Sequence, residues 1–353
     1  MKNSIFLVYF LLVIPNLFSC NKKMIKSEMN CGIGADSISA KTNMNGVSFE
    51  NVNFSINTNH VTPIKNVSAT WVTTMPFGYI VNGDDSVQYN SAFQYVGETT
   101  LGVIDIVNLC HDQNLKVMIK PHLWAMGGVW IGDVEYSTES EWQTFENSYL
   151  TYIVDFARIA DSLSVEAFCI GVEMKKVVVN RPQFWFTLID TVRSIYKGPI
   201  TYASNWDNYN NVGFWSSLDF IGIDAYFPVS DQQTPTVASC FAGWETDFNS
   251  IKNLSESLNK KVIFTEFGYR NVDYTGLEPW DESSQSTYNS AAQINAYQAL
   301  FNRFWGQTWF EGGFLWKWHP NHSASGGENN NRFTPQNKAV EAVINEVYQK
   351  SNG

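Results

Sequence analysis

From Gly46 onward, short runs of β-branched and aromatic residues alternate with longer stretches whose apolar residues recur every three or four positions. The short runs predict strands at Val47–Glu50, Ala69–Thr73, Val117–His122, Ala167–Glu173, Ile200–Ser204, Phe220–Ala225, Val262–Gly268 and Gly313–Trp318. The longer stretches predict helices at Thr99–Gln113, Glu141–Leu163, Gln183–Tyr196, Ala242–Leu258, Ala291–Trp305 and Lys338–Gln349. In the second of these, Phe145, Leu150, Ile153, Phe156, Ala157 and Ala160 form the single apolar face of a helix packed on one side. Strands that alternate with helices pair in parallel, and eight of them point to an α/β protein built as a single (β/α)8 TIM barrel. A doubly wound open sheet is the rival, and no Gly-rich phosphate loop follows any strand to support it. The links after strands two and seven are long, and the link from Trp206 to Ser217 is weakly helical. In a barrel such lengths belong to the loops after the strands, which form the catalytic face.

The N-terminus has a different pattern. Lys2 precedes an unbroken apolar run, Ile5–Ile14, too short to span a bilayer and suited to the core of a signal peptide. Leu17-Phe18-Ser19-Cys20 resembles the bacterial lipoprotein box, which implies cleavage before Cys20 and acylation of its sulfur. The expected organisation is a leader at 1–19, a flexible tether at 20–45 rich in Lys, Ser, Asn and Gly, and a catalytic domain at 46–353. The expected location is an exported, membrane-anchored lipoprotein on a periplasmic or cell-surface face, with lipid as its partner through Cys20.

Composition narrows the function. Lys and Arg total 23 against 34 Asp and Glu, a net charge of −11, so nothing offers nucleic acid a basic footprint. Only 16% of residues are charged, against ~25% for an average globular chain, whereas 13 are Trp. Cys31, Cys110, Cys169 and Cys240 form no C-x-x-C pair, and the spacing of His319 and His322 does not amount to a metal site. No metal and no cofactor are expected, and the chain is expected to be a monomer.

Two strands end on a lone glutamate: Phe168-Cys169-Ile170-Gly171-Val172-Glu173 and Ile263-Phe264-Thr265-Glu266. A carboxylate at the edge of an apolar strand is costly unless hydrogen-bonded or catalytic. Strands four and seven face each other across an eight-strand ring. Two facing carboxyls suit glycoside hydrolysis, one attacking the anomeric carbon and the other protonating the leaving oxygen; retention requires them ~5–5.5 Å apart. Glu166 begins strand four and falls on the stability face, while Asp133, Asp207, Asp224 and Glu245 lie in or near loops and could orient substrate.

The chain resembles the clan of retaining (β/α)8-barrel glycosidases, and within it glycoside hydrolase family 113, whose characterised members are β-1,4-mannanases. The residues that carry the likeness are Thr70-Trp71-Val72, Met75-Pro76-Phe77, Lys120-Pro121-His122, Gly171-Val172-Glu173, Thr265-Glu266-Phe267-Gly268-Tyr269 and Gly313-Phe314-Leu315-Trp316-Lys317-Trp318. The resemblance implies Glu173 as acid/base, Glu266 as nucleophile, and Tyr226 as the donor that orients Glu266. It implies Trp316 beneath the sugar at the cleavage site. Val172 stands where much of the clan, though not family 113, has Asn. Ile131 stands in Trp130-Ile131-Gly132 where the family often has Arg, which leaves subsite number and exact specificity open.

Further substrate-binding candidates are Trp71, Lys120, His122, Trp124, Trp130, Asn205 and Trp206, all at or after expected strand ends. Indoles cover the apolar C–H faces of sugars and polar groups meet the hydroxyls. The expected activity is retaining cleavage of β-1,4-mannosidic linkages in mannan or manno-oligosaccharides. The alternatives are a β-glycanase of the same clan acting on glucan, xylan or galactan, and a non-catalytic glycan-binding lipoprotein.

Overall fold

The computed structural model describes residues 43–81, 83–282 and 286–352. All of them belong to one compact unit, Ile38–Gly353; the other unit, Met1–Ser37, and with it the expected leader and Cys20, lies outside the described residues. Eight parallel strands close a barrel: β1 (Met44–Phe49), β2 (Trp71–Thr74), β3 (Lys116–Ile119), β4 (Ala167–Val172), β5 (Ile200–Asn205), β6 (Phe220–Asp224), β7 (Lys261–Phe267) and β8 (Phe310–Trp318). β8 pairs with β1, so no edge is left open. Helices follow most strands and pack outside, as the (β/α)8 reading requires.

Local chemistry explains most boundaries. The helix Glu139–Ser162 starts on a capping box in which Thr138 accepts from the Glu141 backbone and Glu141 returns the bond. Its buried face carries Phe145, Tyr149, Ile153 and Phe156. The expected helix Ala242–Leu258 is two helices, Val237–Gly243 and Glu245–Leu258, that break at Trp244. Trp244 is fully buried among Phe227, Phe264 and Phe304, and anchoring that ring takes precedence over a continuous helix axis. The Trp206–Ser217 link holds only the short 3-10 turns Tyr209–Asn211 and Trp215–Ser217, in line with its weak periodicity.

The main departure lies above the barrel. β3 stops at Ile119, and the chain passes through Lys120-Pro121 into a second strand, His122–Ala125, of a separate three-stranded sheet. Its other strands, Phe77–Ile80 and Val87–Gln88, occupy the long link after β2. The Tyr152 hydroxyl, on the outer helix, lies 2.9 and 3.0 Å from the carbonyls of Pro76 and His122, and so ties both strands to the barrel wall.

Trp71 begins β2 rather than ending it. It is buried in the barrel interior with Met44, Met118 and Phe314, and Lys116 lies over its ring at 5.5 Å. It is core, away from the cleft, so its expected place among the substrate residues is corrected.

Candidate active site

A cleft of about 940 Å³ opens at the C-terminal ends of the barrel strands and is lined by both Glu173 and Glu266. An apolar recess of about 370 Å³ adjoins it, between the side sheet and the 126–133 loop, and shares the same two carboxyls.

Each glutamate follows an irregularity in its strand. The β4–β5 register shifts between Cys169 and Val172, and the β7–β6 register shifts between Phe264 and Glu266. Such bulges re-aim a side chain at a barrel rim. Glu173 has a left-handed backbone, φ 52°, a conformation that costs a non-glycine residue about 1–3 kcal/mol unless its surroundings hold it. Those surroundings are hydrogen bonds from the Glu173 N–H to the Ala203 carbonyl (2.8 Å) and from the Met174 N–H to the Tyr202 hydroxyl (2.8 Å). Gly171 permits the approach behind it, since a Cβ there would stand 2.7 Å from the Tyr149 hydroxyl.

The two carboxyls have unequal company. Glu266 is buried, and both of its oxygens accept: Oε1 from the Lys120 ammonium at 2.6 Å, Oε2 from the Tyr226 hydroxyl at 2.8 Å. Glu173 is half-buried and accepts from the Trp130 indole N–H at 3.2 Å. Burial, then the negative charges of Asp224 and Glu266, push the Glu173 carboxyl up to about 8. Burial and Asp224 raise Glu266 to about 7, against the opposing pull of Lys120 and Tyr226. Of the pair, Glu173 is therefore the one that keeps its proton to higher pH.

Lys120 is not where a sugar could reach. Its side chain is fully buried, bonded to Glu266 and at 3.0 Å to Asp224 Oδ1, so its expected role in binding substrate is corrected to one beneath Glu266. Asp224, expected near a loop, is the buried last residue of β6 and also accepts from the Thr265 hydroxyl at 2.7 Å. His122 lies in the recess, its ring stacked on Trp316 at 6.2 Å and packed on Phe77; its Nε2 is 3.9 Å from Glu266 Oε1. Burial and the Lys120 charge hold that imidazole neutral, well below its usual range.

The aromatic candidates divide. Trp124, 58% exposed, and Trp130 line one wall of the cleft, and Trp316 and Asn205 also line it. Trp206 lines the cleft and stacks on Trp280 (5.0 Å, 19° between planes). Trp280, Glu50, Glu98, Glu282 and Lys317 are cleft residues that sequence reasoning missed. A Trp in the polar link after β7 was the available signal for Trp280; the acidic rim residues carried none. Among the described residues no cluster of His, Cys, Asp and Glu could hold a metal ion.

The geometry has counterparts among known proteins. The β-mannanase AaManA of Alicyclobacillus acidocaldarius, solved with ManMIm, superposes with a TM-score of 0.76 at 23% identity, over 87% of this chain and 97% of that one. A second structure of a family 113 β-1,4-mannanase gives 0.75 at 22%, over 88% and 99%. A Faecalibacterium prausnitzii β-glucuronidase shares the fold more loosely, 0.58 at 14%, over 88% of this chain and 49% of its own. No curated protein matches the chain. The model of Glycoside Hydrolase Family 113 matches residues 53–338. The chain therefore belongs to glycoside hydrolase family 113 and is a glycoside hydrolase.

Proposed function

We propose that the protein cleaves β-1,4-mannosidic linkages in mannan or manno-oligosaccharides with retention of configuration. The observation that carries this reading is the asymmetry of the carboxyl pair in the cleft: Glu266 accepts from an ammonium and a phenol, Glu173 from an indole alone. An anionic Glu266 attacks the anomeric carbon as Glu173 passes its proton to the departing glycosidic oxygen, leaving a glycosyl ester on Glu266. Glu173, now a carboxylate, takes a proton from water as that water attacks the same carbon, which frees the sugar and restores both carboxyls. Tyr226 orients Glu266, and the neutral His122 and Asn205 are placed to meet sugar hydroxyls. Trp316, Trp124, Trp130 and Trp206 supply flat apolar faces for the sugar rings. The mannosidic specificity is supported by the family and by the β-mannanases of like fold.

The test is product analysis on mannohexaose, with the anomer of the first product followed by NMR, beside a panel of glucan, xylan and galactan. Initial release of the β-anomer from mannohexaose supports the reading. Release of the α-anomer, or turnover confined to another glycan, sinks it.

We further propose that Cys20 anchors the enzyme to a membrane. The short apolar run Ile5–Ile14 and the lipoprotein-like Leu17–Cys20 support this, and two or more acyl chains hold a protein firmly. Cys20→Ala should shift the enzyme from the membrane fraction to the soluble one, and unchanged membrane attachment would overturn the assignment.

A further inference from the structure

Beside Glu266 lies a buried pair of opposite charges, Lys120 and Asp224. Lys120 leaves β3 and crosses the barrel mouth to reach Asp224 on β6 and Glu266 on β7, at 3.0 and 2.6 Å. Its Nζ also lies 3.4 Å from the Thr265 carbonyl. Asp224 and Glu266 are register partners on adjacent strands. Lys120 and Asp224 have no solvent exposure, so neither charge is screened by water.

We propose that the Lys120–Asp224 pair assigns the site's one shared proton to Glu173 and sets the pH range over which the enzyme works. The inference rests on reading Glu173 as acid/base and Glu266 as nucleophile.

The charge balance gives the reason. Three carboxyls, Asp224, Glu266 and Glu173, face one buried ammonium. Of the other groups around them, three are neutral and a further cation, Lys317, is shared with the rim carboxylates. The Cys169 thiol is pushed up by burial to about 12, Tyr226 is raised well above its usual range by burial and the Glu266 charge, and His122 is held neutral. Lys317, on the rim, is engaged at 2.6 Å by Glu50. Burial alone would depress Lys120, yet the carboxylates of Asp224 and Glu266 more than offset it and hold it charged.

With all three carboxyls ionised, the set would carry two net negative charges in a largely apolar barrel mouth. One proton relieves half of that. It settles on Glu173, because Glu266 already has an ammonium and a phenol on its two oxygens and Glu173 has neither. A lysine alone would also draw Glu266 down toward the ordinary carboxylate range. Asp224 takes up much of that charge and acts on both glutamates in the same upward direction.

The two partners thus have opposite signs, which a merely structural role would not produce. The test is a titration of the full chain carrying 13C-carboxyl-labelled Glu, with Glu173 and Glu266 assigned from Glu173→Gln and Glu266→Gln, alongside the pH dependence of kcat/KM on an aryl β-mannoside. Asp224→Asn should lower both midpoints and move both limbs of the profile to lower pH. Lys120→Met should raise both midpoints, Glu266 most. Each shift should be roughly one unit or more, as expected for a charge within hydrogen-bonding distance. Lys120→Arg, which keeps the charge, should restore the wild-type direction, and with Asp224→Asn it decides the matter should Lys120→Met fail to fold.

Unmoved midpoints in Asp224→Asn, or shifts of the same sign in Asp224→Asn and Lys120→Met, overturn the proposal. The titration needs no substrate, so it stands apart from the proposed function, which instead falls if Glu173→Gln or Glu266→Gln retains full hydrolysis.

Discussion

Glu173 and Glu266 are the same side chain placed in different company, and the proposed division of their work rests on that difference. Removing either carboxyl while keeping its shape should cut kcat by on the order of 10²–10⁴ without loss of fold. The same substitutions test the electrostatics through stability. Both carboxyls titrate higher in the folded chain than an ordinary glutamate, so their favourable contribution is present at low pH and is lost as pH rises through about 7 to 8. Glu173→Gln and Glu266→Gln should therefore raise Tm relative to wild type, with a gain that is small at pH 5 and grows toward pH 9. A gain that shrinks over that interval would contradict the assignment. Trp130 makes a finer point at this scale. Its indole N–H bonds Glu173 and favours the carboxylate, so Trp130→Phe should keep the aromatic wall yet move the alkaline limb of kcat/KM to higher pH. An unmoved limb would mean that the ring acts through stacking alone.

At the level of elements, the cleft is made by segments the barrel does not need for closure. The side sheet carries Phe77, His122 and Trp124 to one side, and the link after β7 brings Trp280 onto Trp206. The Trp280 ring, 42% exposed, lines the same cleft as the carboxyls and leaves a flat apolar face open to it. Trp280→Ala should lower kcat/KM on mannohexaose by about tenfold, near 1.4 kcal/mol, and leave mannobiose or an aryl mannoside unaffected. An equal loss on short and long substrates would assign Trp280 to support of the loop instead.

The same division marks what could be read from the residues alone. The eight strands, the outer helices and both glutamates were legible, because a lone carboxylate closing an apolar run is a strong local signal. Lys120 and Trp71 were misplaced because a strand pattern does not tell which end of the barrel a side chain serves, nor that β3 stops before Lys120. The side sheet was hidden in strands of two to four residues, too short for periodicity to register. Trp280 and the acidic rim lie in links with no period at all.

Over the whole molecule, the net charge of −11 is mirrored in the cleft. Glu50, Glu98, Asp207 and Glu282 line it beside the carboxyl pair. Lys317, the cation among its lining residues, is bonded to Glu50, and Lys175 nearby is bonded to Asp207 at 2.7 Å. A sugar acid entering this cleft would meet negative charge within the ~8 Å screening length of physiological salt, with no free ammonium or guanidinium among the described lining residues to receive it. The likeness to β-glucuronidases is one of the barrel fold, and selection against sugar acids is the expectation that the acidic rim sets. Neutral mannan should be hydrolysed at a rate nearly independent of ionic strength, whereas aryl β-glucuronides and polyuronates should react at least ~100-fold more slowly, about 2.7 kcal/mol in kcat/KM. Raising salt from 20 to 200 mM should narrow that gap without closing it. Comparable rates on mannoside and glucuronide at low salt would show that the acidic rim does not select the substrate.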